Sequence, residues 1–130
     1  MTILLVRADS PEVEIDIHID GKPVASKHWQ AGRELSGQIH QVIDDLLSQS
    51  GKKLTDLTGI VVYEGPGSYT GLRISISVVN ALGYSLNIPA VATTGPDWKP
   101  SGSAKLEITD TFVPVVPVYG GQVYTTTPRK

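Results

Sequence analysis

The sequence predicts a mixed α/β domain with element order βββαβαβ, and three observations carry that expectation. Glu12–Asp20 alternates strictly, with Val13, Ile15, Ile17 and Ile19 on one face and Glu14, Asp16, His18 and Asp20 on the other. That period of two belongs to a strand with one buried and one wet side. Leu35, Ile39, Val42 and Leu46 recur at helical spacing, with Ile43 and Leu47 beside them, which marks an amphipathic helix. Ile3–Val6 and Gly59–Tyr63 are nearly continuous apolar runs, as strands covered on both faces are. An antiparallel meander followed by parallel strands, added through right-handed crossovers, makes the sheet mixed.

Taken in order, the first strand is Thr2–Arg7 and the second Glu12–Asp20. Asp20-Gly21 is a strong hairpin signal, so Lys22–Trp29 returns antiparallel, with Pro23 suiting an edge strand. The first helix spans about Glu34–Ser50, its wet side formed by Gln38, Gln41, Asp44, Asp45 and Gln49. Gly51 stops it, and Lys52-Lys53 follow at the negative end of the helix dipole. Gly59–Tyr63 is a buried parallel strand. The glycine-rich loop Gly65–Gly71 opens a second helix reaching about Leu86, which Asn87-Ile88-Pro89 ends, and Ala90–Thr93 is a further strand. Residues 1–93 thus form the folded lobe. In the remaining 94–130, Thr94–Ser103 reads as a loop. The tail carries Val113, Val115, Val116, Val118, Val123 and Tyr124, but Pro114 and Pro117 allow an edge strand at most.

Composition removes several function classes. At 130 residues the chain suits one domain. It has no Cys, which excludes a disulfide framework and a thiolate metal site. Its 11 basic and 13 acidic residues give a net charge of −2, so no whole-molecule basic field draws it onto RNA or anionic lipid. No apolar run approaches the length of a membrane span, and a soluble cytoplasmic protein is expected. His18, His28 and His40 include no pair three to five residues apart, so no metal site is expected from spacing, and each is read as solvated.

The segment Gly65-Pro66-Gly67-Ser68-Tyr69-Thr70-Gly71-Leu72-Arg73 lies between strand and helix, where phosphate cradles also lie. Three features oppose nucleotide binding. The glycine spacing is G-x-G-x-x-x-G, Pro66 removes a donor, and no Asp or Glu closes the strand Ala90–Thr93 to hold a ribose. The plain alternative is a tight turn in which the glycines permit close approach and Ser68 or Thr70 caps the helix. Ser68 also lacks the nucleophile elbow, since Pro stands at 66. No catalytic, cofactor-binding or metal-binding residue is therefore assigned. The second helix has too much apolar circumference for one sheet face: Leu72, Ile74, Ile76, Val78, Val79, Ala81, Leu82 and Leu86 leave Arg73, Ser77, Asn80 and Tyr84 as its polar wedge. A helix covering one face needs an apolar arc of about 100° or somewhat more, so the surplus is expected to meet a partner.

These residues resemble the TsaB (YeaZ) family. The succession Leu54–Val62, then Gly65–Arg73 followed by Ile74-Ser75-Ile76-Ser77, then Asn80-Ala81-Leu82-Gly83 and Ile88-Pro89, is similar to the family's strand–loop–helix with its G-P-G-S-[FY]-T-G-L-R-[IV]-G run. Every position from Gly65 to Arg73 matches it, and Ile3–Val6, Asp20-Gly21-Lys22 and Ile43–Leu47 fit upstream. The resemblance covers about residues 2–93 and fades beyond.

The resemblance implies a ribonuclease-H-like lobe of the actin-like/Hsp70-like ATPase fold, in a short one-lobe form. It implies a non-catalytic scaffold that pairs with a TsaD-like protein in tRNA N6-threonylcarbamoyladenosine formation. A TsaE-like ATPase would join through the complex, tRNA would be held only indirectly, and the chain would pair with itself in isolation. Pairing would use the two helices, with Leu35, Ile39, Val42, Leu46, Arg73, Ile76, Val79 and Asn80 as interface residues. Departures are Arg7 where relatives often carry Asp or Asn, Leu35-Ser36 where many have a His-Ser/Thr pair, and Ser75 in place of Gly. They weaken any catalytic reading. The alternative kept open is a small nucleotide-binding hydrolase or peptidase-like enzyme of the same superfamily. A degenerate paralogue that only self-associates is the third reading.

Overall fold

The computed structural model describes residues 1–118 of the chain. Asp20 and Gly21 adopt φ of 51° and 82°, the double left-handed pair of a tight hairpin. They join β2 (Glu12–Ile19) to β3 (Lys22–Gln30), while β1 (Thr2–Arg7) pairs antiparallel with β2 on its other side. β4 (Gly59–Tyr63) and β5 (Ala90–Thr93) extend the sheet in parallel, giving the order β3-β2-β1-β4-β5. The predicted strands and their pairing senses all form. β2 and β3 slip register between Ile17 and His18, beside Pro23, which has no N–H to give the ladder.

α1 (Leu35–Gln49), entered through a short 3-10 turn at Gly32–Glu34, and α2 (Tyr69–Leu86) lie on one face of the sheet. Strand alternation sorts the core. Leu4, Val6, Val13, Ile15, Ile17, Ile60 and Val62 point toward these helices, where Leu35, Ile39, Val42, Leu46, Ile76 and Val79 meet them. Ile3, Leu5, Val61, Tyr63 and Val91 point the opposite way, toward an element that the sequence reading missed.

That element is α3 (Trp98–Glu107), which corrects the expected loop over Thr94–Ser103. Pro100 falls in the first turn, where its missing N–H breaks no helical bond. Trp98 and Leu106 are the helix's apolar anchors. Two glycines let it sit close to the sheet: a Cβ on Gly102 would overlap the Val61 side chain, and one on Gly59 would stand 2.9 Å from Leu106 Cδ1. Thr93 Oγ1 donates to the Trp98 carbonyl at 2.7 Å and Lys105 Nζ to the Ala92 carbonyl at 2.7 Å.

No strand forms among the described residues 108–118, where the sequence allowed an edge strand at most; Val123 and Tyr124 lie outside the described residues. The segment instead crosses α2. Phe112 stands edge-to-face with Tyr84 at 6.5 Å, and a Cβ on Gly83 would overlap its ring. Asn80 Nδ2 donates to the Val115 carbonyl at 3.0 Å, and the Val115 N–H donates to Asn80 Oδ1 at 2.8 Å. Among the described residues no helix is long and apolar enough to cross a membrane.

Candidate functional site

The glycine-rich loop sits beyond the C-terminal ends of β1 and β4, the edge where α/β sheets place ligands. Its own construction answers what the glycines do. A Cβ on Gly67 would overlap Asp9, and one on Gly71 would overlap the Ala8 carbonyl. The Ser68 N–H donates to the Asp9 carbonyl at 2.7 Å, so a donor that an anion cradle would need is already used. Gly65 has φ of 108°, accepts a hydrogen bond from Thr94 Oγ1, and precedes a cis Pro66. The loop is therefore clamped onto the β1–β2 connection by close backbone approach. Ser68 is the residue preceding α2, as expected, but its side chain makes no capping bond.

Arg7 closes the same edge. Its Nε meets Asp9 Oδ1 at 2.8 Å and its guanidinium carbon lies 4.0 Å from the Tyr63 ring centroid. The hydrogen bond to Asp9 raises the Arg7 pKa above its ordinary value, against a smaller opposing effect of burial. The Arg7 cation and the Asp9 carboxylate thus neutralise each other at the end of β1.

The predicted interface residues divide sharply. Leu35, Ile39, Val42, Leu46, Ile76 and Val79 are buried in the chain's own core, Ile76 to 3% exposure. That corrects their assignment as contact residues, because these side chains of the wide apolar arc meet α1, the sheet and the segment through Val115, while Ile74 and Leu86 stay half-buried and Ala81 exposed. Asn80 is half-buried and committed to Val115; Arg73 alone of the set is exposed, with its guanidinium carbon 6.0 Å from the Tyr69 ring centroid. What remains open is a groove of about 370 Å³ between the first turns of both helices, lined by Ser36 and His40 of α1 and by Thr70, Arg73, Ile74 and Ser77 of α2. Its floor is apolar and its rim polar. This surface was only partly legible: Arg73 and Ser77 were read as a polar wedge, whereas Ser36 and His40 become relevant only once α1 is seen beside α2.

The supposedly wet face of β2 is reached from α3 by the Lys99 side chain. Asp16 has a side chain only 5% exposed, paired with Lys99 Nζ at 2.5 Å, and Lys99 also pairs with Glu14. Burial alone would lower the Lys99 pKa; the hydrogen bonds to Asp16 and Glu14 outweigh it and hold the ammonium above its ordinary range. His18, expected to be solvated, is instead half-buried beside Asp16. Burial pushes its pKa below the ordinary value, and Asp16 only partly offsets that. The signal for the helix that carries Lys99 was Gly102 between Trp98 and Leu106.

Comparison with known proteins agrees with this architecture. A family model described as TsaD, tRNA N6-adenosine threonylcarbamoyltransferase, matches residues 29–94, just over half of the chain. The Escherichia coli protein named tRNA threonylcarbamoyladenosine biosynthesis protein TsaB is 28% identical over 95 residues, covering 72% of this chain and 40% of its own length. Its Bacillus subtilis namesake is 28% identical over 125 residues, covering 96% of this chain and 54% of its own. The solved structure of YeaZ from Pseudomonas aeruginosa superposes with a TM-score of 0.67 at 27% identity, covering 72% of this chain and 43% of that one. The chain thus spans about half the length of the relatives it matches, and its five-stranded mixed sheet is the ribonuclease-H-like lobe of the actin-like ATPase fold. The chain belongs to the TsaB (YeaZ) family, within the wider group that the TsaD model describes.

Proposed function

We propose that the chain works in tRNA threonylcarbamoyladenosine biosynthesis as a non-catalytic scaffold that pairs with a TsaD-like threonylcarbamoyltransferase, or with itself when that partner is absent. The observation that carries this reading is the groove between α1 and α2, open and apolar at its floor, with Arg73 at its rim. The glycine loop contributes indirectly. Clamped on Asp9 and Ala8, it fixes the angle at which α2 leaves the sheet and so the shape of the groove. The net charge of −2 suits a subunit that leaves tRNA to its partner.

The enzyme reading, a small nucleotide hydrolase or peptidase-like protein, has less support. The Ser68 N–H is occupied by a carbonyl, and Arg7 sits at the end of β1. It requires saturable ATP binding, which calorimetry at millimolar nucleotide measures directly.

The scaffold reading is tested by co-expression with a TsaD-like protein followed by size-exclusion chromatography. A buried position such as Ile76 is unsuitable for the test, since Ile76→Asp would unfold the core. Ser77→Arg and Thr70→Glu place bulk or charge on exposed groove positions and should abolish co-elution while leaving the circular dichroism spectrum and melting temperature unchanged. Co-elution that survives both substitutions, or failure of the wild type to co-elute, refutes the reading.

A further inference from the structure

On the α3 face of the sheet, away from the groove, Glu14 and Asp16 of β2 and His28 of β3 each offer one ligand atom, and these atoms all lie within 4.8 Å of one another. His28 Nε2 is 3.3 Å from Glu14 Oε2 and 3.9 Å from Asp16 Oδ1. Ligands held about 2.0–2.1 Å from a tetrahedral zinc-class ion stand about 3.3 Å apart. The first separation fits that value, and a small rotation of the exposed His28 ring would bring in the second.

A second, independent observation points into the same place. Asp16 Oδ1 is buried and has no hydrogen-bond partner, although the Asp16 side chain is only 5% exposed. Buried carboxylate oxygens are costly to leave without a donor or cation. Lys99 Nζ takes the other oxygen, Oδ2, and also pairs with Glu14 Oε2, and so supplies one positive charge shared between the two carboxylates. A cation is missing on the Oδ1 side, where His28 faces it.

We propose that Glu14, Asp16 and His28 bind one divalent transition-metal ion of the zinc class, with Lys99 as the outer hydrogen-bond donor that orients the Asp16 carboxylate. Outer-shell donors of this kind are a regular part of carboxylate metal sites. One imidazole nitrogen with two carboxylate oxygens and no thiolate suits zinc, cobalt or nickel better than a soft monovalent ion. A cavity of about 280 Å³, lined by Arg7, Asp9, Ser10, Glu12, Glu14 and His28 among others, opens onto Glu14 and His28. It gives the ion a route in and leaves room for water in a fourth position. His18 lies beyond Asp16, its Nε2 3.7 Å from the Oδ2 that Lys99 holds, and is not in the ligand set.

The test is calorimetric titration of the full, untagged chain with Zn²⁺, paired with visible absorption of Co²⁺, whose tetrahedral complexes absorb strongly. One equivalent should bind. His28→Gln, on an exposed strand position that leaves the fold intact, should weaken binding by at least about tenfold, and Glu14→Gln should do the same. Glu34→Gln, exposed ahead of α1, should change nothing. Absence of saturable binding at millimolar Zn²⁺, or equal affinity in wild type and His28→Gln, overturns the proposal. Because the readout is metal affinity alone, its failure is distinct from failure of partner binding.

Discussion

Gly37 and Gly71 occupy the same position, third in α1 and third in α2, and the structure predicts opposite outcomes for replacing each with Ala. Helix propensity alone favours Ala over Gly by about 0.8–1.0 kcal/mol in a helix interior, with somewhat less at a first turn. A Cβ on Gly37 meets nothing within 4 Å, so Gly37→Ala should stabilise by about 0.5–1 kcal/mol. A Cβ on Gly71 overlaps the Ala8 carbonyl. That oxygen belongs to the backbone beside β1 and cannot rotate away. Forcing such overlap costs typically about 1–3 kcal/mol, which exceeds the propensity gain, so Gly71→Ala should destabilise. The propensity gain is common to both, so the two variants should differ by the overlap cost, about 1–3 kcal/mol, or about 3–5 °C in melting temperature for each kcal/mol at this chain size. Urea titration followed by circular dichroism, with the slope checked for constancy, measures it. A Gly71→Ala protein at least as stable as wild type would show that the glycine loop is not held by close approach to the end of β1, and the account of how it aims α2 would fall.

Three further outcomes follow from other contacts. Leu106→Ala removes one of the two apolar anchors of α3, a side chain 4% exposed, and should cost about 2–5 kcal/mol in urea unfolding; a loss under about 0.5 kcal/mol would mean that α3 does not cover the sheet. Asn80→Ala deletes both bonds to the Val115 backbone, each worth about 0.5–1.5 kcal/mol net, and should speed hydrogen exchange at the Val115 amide while leaving β1 and β4 protected. His18 has a folded pKa below its ordinary 6.5 because burial disfavours its charged form, so the unfolded chain takes the proton first. Its contribution is present above about pH 6.5 and lost as pH falls toward the folded value. Wild type should therefore lose more stability than His18→Gln between about pH 7.5 and about pH 5.5, and an equal loss in both proteins refutes the assignment.

Much of the fold was legible because its signals are local. The β2 alternation, the Asp20-Gly21 turn and the α1 stripe each fix an element within a few residues. α3 was hidden for a physical reason: it is held by Trp98 and Leu106 and by the absence of side chains at Gly102 and Gly59. Close approach through missing atoms leaves no hydrophobic periodicity to read. The same omission misplaced β2's second face. Glu14, Asp16 and His18 alternate as a wet strand should, yet Lys99 from an unseen helix turns that face into a half-buried charged cluster. For the candidate site, the loop Gly65–Arg73 was legible as a motif, but its use was not. Only the folded chain brings Gly67 and Gly71 against Asp9 and Ala8.

The width of the apolar arc on α2 was a sound observation attached to the wrong cover. At the C-terminal half of the helix, Phe112 over Gly83 and Val115 against Asn80 enclose it from within the chain. Toward the N-terminus the described tail touches the loop ahead of the helix, the Val118 N–H donating to the Glu64 carbonyl at 2.8 Å, while Thr70, Arg73 and Ser77 stay exposed around the half-buried Ile74. A second subunit that used α2 would therefore meet its first two turns, adjacent to the loop clamped on Asp9. This joins the motif to the surface by geometry. On the proposed pairing, a shift of the loop's clamp would tilt the very turns that a partner would touch, while the far half of the helix stays pinned by the 112–115 segment. A substitution at Gly71 should accordingly weaken pairing even in a variant population that remains folded, whereas Asn80→Ala, for all its effect on the segment beyond α3, should leave pairing intact.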